Sequence, residues 1–209
     1  MLNKYISNYF LVFFSIIPIS LIIGPAVSLI NIVIIDISFI FLIIYLRDFS
    51  FLKNKNFKYF LILYSYLLFN SFISLDIELS FNRNFGFIRI VVLFLAFNFF
   101  LRDKIFLNKV LKIWFLIIFV TILDIFIESY FEKNLLGYGG TYGDRIMSFF
   151  KDEPIVGGYI NGFSLILIGY LFTFYGSLHR NKIFLLSLIF LVAIMLTGER
   201  SNSIKILIG

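Results

Sequence analysis

An all-α bundle of membrane-crossing helices is the fold this sequence predicts, on three observations. Of its 209 residues, 61% are hydrophobic and only 14% are charged, against about 45–50% and 25% in soluble domains. A mean hydropathy of +1.00 and 43 aromatic side chains, 30 of them Phe, leave too little polar surface to cover a water-exposed globule. The charges fall between apolar runs, and at roughly 20 residues per crossing the chain supplies about seven transmembrane helices with short loops.

The elements follow from the breaks in those runs. Residues 5–35 carry no charge, but Gly24-Pro25 interrupts them, since proline lacks the N–H of a helix interior and glycine favours a turn. A helical hairpin is expected there, with spans at about 5–23 and 26–46, and Pro18 kinks the first. Further spans are expected at about 57–75, 85–101, 109–127, 154–175 and 182–197, with a loop over about 128–153. An apolar run too short to cross begins near Ser203, and half a helix in hydrocarbon leaves carbonyls without partners. The expectation is therefore one transmembrane domain over 1–209, the N-terminal part of a longer polytopic protein. Lys4 before an apolar stretch has the outline of a signal peptide. A second apolar segment follows at once with no A-x-A-like site between, so a retained anchor is expected.

Counting Lys and Arg orients the spans. With the N-terminus cytoplasmic, the inner segments hold eleven basic residues and two acids, the outer ones seven basic residues and nine acids, and Asp36 sits within span two. That bias follows the positive-inside rule. The net charge of +6 forms no nucleic-acid recognition face, because the basic residues are scattered between apolar runs. With no cysteine and a single histidine, His179, disulfide frameworks, thiolate metal sites and histidine metal clusters are excluded. Neither metal nor cofactor is expected.

Inner loops use mostly lysine, whereas four of the seven outer basic residues are arginine: Arg83, Arg89, Arg145 and Arg200. Arginine presents a planar fork of donors suited to phosphate. Four near one bilayer depth point to an anionic headgroup, and the alternative is a set of snorkelling anchors paired with nearby acids. Asp124, Glu128 and Glu132 are spaced i, i+4, i+8 and share one helical face. They read either as a solvated helix end or as a base or sugar-hydroxyl acceptor. Next comes a loop with Gly137, Gly139, Gly140 and Gly143, where the backbone can take positive φ and approach a ligand. Tyr138 and Tyr142 there offer rings that stack on sugars or sit at the bilayer interface. Asp152 and Glu153 precede Pro154 as caps for span six. Gly158, Gly162, Gly169 and Gly176 read as a close helix-packing seam. Asp36 and Asn161 lie deepest in apolar surroundings, and Asp36 is expected to face the bundle, hydrogen-bonded to a neighbour or acting as a proton site.

Span seven closes with Met195-Leu-Thr-Gly-Glu199-Arg200-Ser-Asn-Ser203, about fifty residues after Arg145-Ile-Met-Ser-Phe-Phe-Lys-Asp-Glu153-Pro-Ile-Val-Gly-Gly-Tyr159. This pair of segments resembles the O-antigen ligase and O-antigen polymerase family, over roughly residues 120–205. The resemblance implies a glycosyltransferase of the bacterial inner membrane, taking part in lipopolysaccharide or similar polysaccharide biosynthesis. Such enzymes act on undecaprenyl-diphosphate-linked glycans at the outer face, in membrane lipid and alongside other polysaccharide-assembly proteins. By the same resemblance Arg145 and Arg200 bind the donor diphosphate, and Arg89 and Arg83 are expected to join them as the other outer arginines. Glu153 and Glu199 are implied to orient those arginines or contact the acceptor, and Glu128 of the acidic stripe is expected to share that role. Complete family members have more spans and a large later loop, so catalytic residues are expected outside these 209 and this part alone is expected to be inactive. The alternative expectation is a transporter or flippase for an anionic or lipid-linked substrate, with Asp36 coupling protons. Weaker still is a polytopic subunit whose aromatics serve packing alone.

Overall fold

The computed structural model of the chain describes residues 4–49, 52, 55–139, 145–151 and 153–208. Among them, regular structure is entirely helical. Six segments are long and apolar enough to cross a membrane: Lys4–Ile23, Pro25–Leu46, Ile77–Phe100, Lys104–Phe131, Val156–Gly176 and His179–Leu196. This is the pattern of a multi-pass membrane protein. The remaining predicted span, 57–75, is represented by the apolar stretch Phe57–Ile73. At 1.5 Å per residue that stretch is about 25 Å long, short of a hydrocarbon core of roughly 30 Å. The chain divides into two compact units, described in turn.

The first unit comprises Met1–Ile17 and Pro25–Lys109. Helices α1 (Lys4–Ile23) and α2 (Pro25–Leu46) part at Gly24, whose φ of 140° is open to glycine and strained for other residues. Pro25 then opens α2, where its missing N–H has no partner to lose. Asn31 Nδ2 donates to the Phe13 carbonyl at 3.2 Å, and the Tyr9 and Ser38 hydroxyls lie 2.8 Å apart. Because positions falling in α1 meet positions rising in α2, the two helices are antiparallel. This is the hairpin the Gly-Pro break predicts.

Helix α3 (Lys55–Ile73) packs on α4 (Ile77–Phe85) and α5 (Ile88–Phe100), and α5 also packs on α2. The predicted span 85–101 therefore starts earlier, at Ile77, and is broken at residues 86–87. Polar residues over 76–84 read as loop. Instead Asp76 caps a helix, its carboxylate accepting from Leu79 N–H at 3.0 Å, and no residue of α4 is buried. Phenylalanines fill the core, with centroids 4.2 Å apart for Phe10–Phe100, 4.7 Å for Phe14–Phe97 and 5.3 Å for Phe100–Phe106, within the favoured range for ring pairs.

The second unit comprises Pro18–Gly24 and Val110–Gly209. It holds most of α6 (Lys104–Phe131), a single 3₁₀ turn Ser148–Phe150, α7 (Val156–Leu196) and α8 (Arg200–Ile208). Helix α6 overruns the predicted span 109–127 at both ends. Helix α7 runs over 41 residues with one non-helical residue inside, His179, at φ −135° and ψ 30°. A straight helix of that length measures about 60 Å, yet Gly157 N–H donates to the Glu199 carboxylate at 2.8 Å. The arms Val156–Gly176 and His179–Leu196 therefore fold back on one another at His179. They correspond to predicted spans six and seven, with a reversal tighter than a loop over 176–181. Trp114 of α6 meets Phe163 of α7 edge-to-face at 5.2 Å.

Of the expected glycine seam, Gly158 is closely approached from α8, a Cβ there lying 3.3 Å from Asn202 Nδ2, while the positions beyond it meet no other helix among the described residues. A Cβ at Gly162 or Gly169 would meet nothing within 4 Å, whereas one at Gly157 would sit 2.6 Å from Thr197 Oγ1 and 2.9 Å from Glu199 Cδ. Close approach is therefore confined to Gly157 and Gly158, where the neighbour is the α7–α8 junction.

Candidate functional site

Two carboxylate clamps in the second unit shape the loop between α6 and α7. The first is built on Asp124 and Glu128, one turn apart on α6 and 0% and 5% exposed. Glu128 accepts from Met147 N–H at 3.0 Å and Ser148 N–H at 2.6 Å, one through each oxygen. Met147 is right-handed, with φ −102° and ψ −29°, and Ser148 is left-handed, with φ 52°. Successive N–H groups in that sequence of conformations form a concave anion nest, and Glu128 fills it. A left-handed non-glycine residue costs about 1–2 kcal/mol, which charge-assisted bonds of this kind offset.

Asp124 completes the clamp. Its Oδ2 accepts from the Ser148 hydroxyl at 2.6 Å and its Oδ1 from Leu135 N–H at 2.8 Å. Buried Asn134 joins both segments, donating to the Ser148 carbonyl at 2.5 Å while its Oδ1 accepts from Leu136 and Tyr138 N–H at 3.0 and 2.8 Å. The like charges of the α6 stripe are thus separated by backbone donors. Of the three acids expected to face water, a cation or a sugar, only Glu132 is exposed. Glu128, expected to orient an arginine or contact an acceptor, has both oxygens engaged by the loop backbone.

Glu199 makes the second clamp. Its Oε1 accepts from Gly157 N–H at 2.8 Å and its Oε2 from Gly158 N–H at 3.1 Å, with Asn202 Nδ2 as a further donor. The first N–H groups of a helix lack intrahelical acceptors and carry the positive end of its dipole. For α7 the anion that meets them comes from 42 residues downstream. The expected local caps do not serve there: α7 starts at Val156, its flanking residue Ile155 makes no side-chain cap, Glu153 is exposed, and Asp152 lies outside the described residues. Phe150 packs on Tyr159 at 5.1 Å, so the 3₁₀ turn held by Glu128 rests on the helix start held by Glu199.

The predicted arginines divide between the units. Arg145 is exposed, directly before buried Ile146, Met147 and Ser148. Arg200 opens α8 next to Glu199, and its side chain lies outside the described residues. Arg83 and Arg89 belong to the first unit and are exposed. Arg83 stands in the last turn of α4, where a cation complements the dipole, and Arg89 stands in the first turn of α5. Gly137 and Gly139 take φ of 82° and 145°, as a glycine loop should, while Gly140, Tyr142 and Gly143 lie outside the described residues. Tyr138 meets Lys151, whose Nζ is 5.7 Å from the ring centroid.

Asp36 faces inward as expected, 6% exposed, but the expected hydrogen bond is missing. Both its oxygens and Asn161 Oδ1 lack a hydrogen-bond partner among the described residues. Sequence reasoning missed Asn134 and Ser148. Asn134-Leu-Leu-Gly137 does carry a turn signal, an asparagine three residues before a glycine, whereas Ser148 has no sequence mark. Among the described residues no group of His, Cys, Asp and Glu is arranged to hold a metal. Comparison with protein-family models, with characterised proteins and with solved structures finds no match to this chain.

Proposed function

We propose that this protein polymerises or ligates undecaprenyl-diphosphate-linked glycan at the outer face of the bacterial inner membrane, with its N-terminus cytoplasmic. The observation that carries the reading is the Glu199 clamp. The two segments that resemble the family are separated by some forty residues, and they meet through Gly157, Gly158 and Glu199. Arg145 precedes the turn that packs on this helix start, and Arg200 follows Glu199 directly.

In the proposed reaction an acceptor hydroxyl oxygen bonds to the anomeric carbon of the donor as the bond to the diphosphate oxygen breaks. The bonding pair stays on the leaving diphosphate and the hydroxyl proton passes to a base. Charge grows on the leaving group, and fixed guanidinium groups placed at that oxygen stabilise the transition state more than the ground state. Arg145 and Arg200 take this role, and Glu153, which is exposed, contacts the acceptor. Glu128 and Glu199 act as positioning residues, because their oxygens are engaged by backbone donors.

The test uses Arg145→Ala and Arg200→Ala in the protein as its host expresses it, with glycan length read on gels and membrane levels checked by immunoblot. Loss of extension at normal protein level is expected in each. Full extension in both variants removes the basis of the reading. The buried carboxylate of Asp36, without a hydrogen-bond partner among the described residues, favours a second reading, a proton-coupled transporter or flippase. In that case Asp36→Asn abolishes translocation and the arginine variants weaken substrate capture only.

A further inference from the structure

We propose that a groove between the start of α1 and the end of α2 holds an acyl chain of an anionic phospholipid, its phosphate lying at Lys4 and Arg47. The groove is independent of the α7 site. It has a volume of about 620 Å³ and is walled by Tyr5, Ile6 and Tyr9 of α1 with Phe41, Leu42 and Tyr45 of α2, all within the first unit. Both helices have the length and hydropathy of membrane spans, which sets the groove at bilayer depth.

Its chemistry selects an apolar occupant. Of its polar groups, the Tyr9 and Ser38 hydroxyls bond to each other at 2.8 Å, and Tyr5 and Tyr45 stand at the mouth. A ligand with polar groups in the middle of the groove would leave them poorly satisfied at bilayer depth, whereas an acyl chain has none to satisfy. Tyr5 and Tyr45 are 82% and 80% exposed, and tyrosine rings gather where hydrocarbon meets headgroup.

The same end selects a negative headgroup. Lys4 adjoins Tyr5, Arg47 lies two residues beyond Tyr45, and both are exposed. The neighbouring acid, Asp48, is half-buried and already engaged in an interaction of its own. Lys55 and Lys58 follow at the start of α3 and are exposed as well. Two exposed cations beside an apolar channel complement a phosphate carried on a hydrocarbon chain, and a zwitterionic headgroup brings a like charge to the same place.

The experiment exposes the whole chain, purified in mild detergent, to equimolar phosphatidylglycerol and phosphatidylcholine, and reads bound lipid by native mass spectrometry. Retention of phosphatidylglycerol over phosphatidylcholine is expected. The double variant Lys4→Gln, Arg47→Asn should bring the two lipids to parity, at roughly fivefold per charge, as for basic residues at an anionic membrane surface. Asparagine is chosen because it tolerates the φ of 52° found at Arg47. Both positions are exposed, so this variant keeps its fold, which circular dichroism verifies. Ser38→Phe fills the groove while keeping both cations, and should lower retention of both lipids. Equal retention by the wild-type chain, or unchanged preference in the double variant, overturns the proposal. Normal lipid retention by a folded Ser38→Phe chain also overturns it, because the headgroup would then bind without the groove. A lipid-free dimer in the same spectra assigns the groove to a second copy and overturns it too.

Discussion

Asp36 and Asp124 are both buried aspartates in apolar helices, one in each unit, and their surroundings are opposite. Asp124 has a donor at each oxygen, from Leu135 and Ser148. Asp36 has no hydrogen-bond partner at either oxygen among the described residues. An aspartate at mid-helix costs about 2.5–3.5 kcal/mol on the membrane-insertion scale. In the second unit that cost is offset by loop backbone, which is thereby fixed. In the first no hydrogen bond offsets it, and the charge that acts on the carboxylate is that of Arg89. Burial of a carboxylate is therefore no sign of shared role: one acid builds a loop, and the other stands as a polar group in an apolar interior.

The largest expected effect is at the nest. Glu128→Ala leaves Met147 and Ser148 N–H groups without their acceptor, at about 1.5–3 kcal/mol for each bond to a charged group. Thermal unfolding in detergent should report a loss of about 3 kcal/mol or more. Limited proteolysis should then cut near residues 145–151, and a resistant loop in Glu128→Ala would show that other contacts hold it.

The second clamp is probed by a pair of glycines. Gly157→Ala places a methyl 2.6 Å from Thr197 Oγ1, an overpacking that costs about 1–3 kcal/mol. Gly162→Ala meets open space and should gain up to about 1 kcal/mol from helix propensity. Equal unfolding temperatures for the two variants would contradict the placement of the α7–α8 junction. Glu199→Gln is milder still. It keeps an acceptor oxygen but loses charge assistance, and should cost about 1 kcal/mol, with Glu199→Ala clearly worse on the same melt.

The smallest change is expected at Asp36. Replacing this buried carboxylate by leucine removes a desolvation cost and breaks no hydrogen bond, and the charge it leaves behind, that of Arg89, is exposed. Asp36→Leu should melt at the wild-type temperature or slightly above. A clear loss of stability would mean that this carboxylate is held as firmly as Asp124, erasing the contrast between the units.

Much of the helical layout was legible in the sequence, because hydropathy and charge spacing act within single segments. Gly24-Pro25 marked the α1–α2 hairpin, and the apolar runs marked the long helices. The helix over Ile77–Phe85 was hidden by its polar residues, which suit an exposed helix as well as a loop. The fold-back at His179 was legible only as a stretch between two spans. The α6 stripe was legible as one face of a helix, but its partners were not. They are the Ser148 hydroxyl and backbone N–H groups 11–20 residues away in sequence, and a backbone donor has no residue identity to read. The same holds for Glu199, whose acceptor role depends on a helix start 42 residues earlier. The local caps Asp152 and Glu153 offered a closer and more ordinary answer.

The central claim is that the segment entering α7 and the segment entering α8 form one site. The chain has no cysteine, so an introduced pair reports proximity without background. A Cβ at Gly158 would lie 3.3 Å from Asn202 Nδ2, an atom two bonds beyond the Asn202 Cβ, so a small shift brings the two Cβ atoms to the roughly 4 Å that a disulfide requires. In the chain carrying Gly158→Cys and Asn202→Cys, mild oxidation in membranes should yield an intramolecular disulfide in most molecules. The control pair Gly169→Cys and Asn202→Cys should yield none. Absence of the first link, or equal yield from both pairs, would contradict the joining of the two arginine-bearing segments at the start of α7.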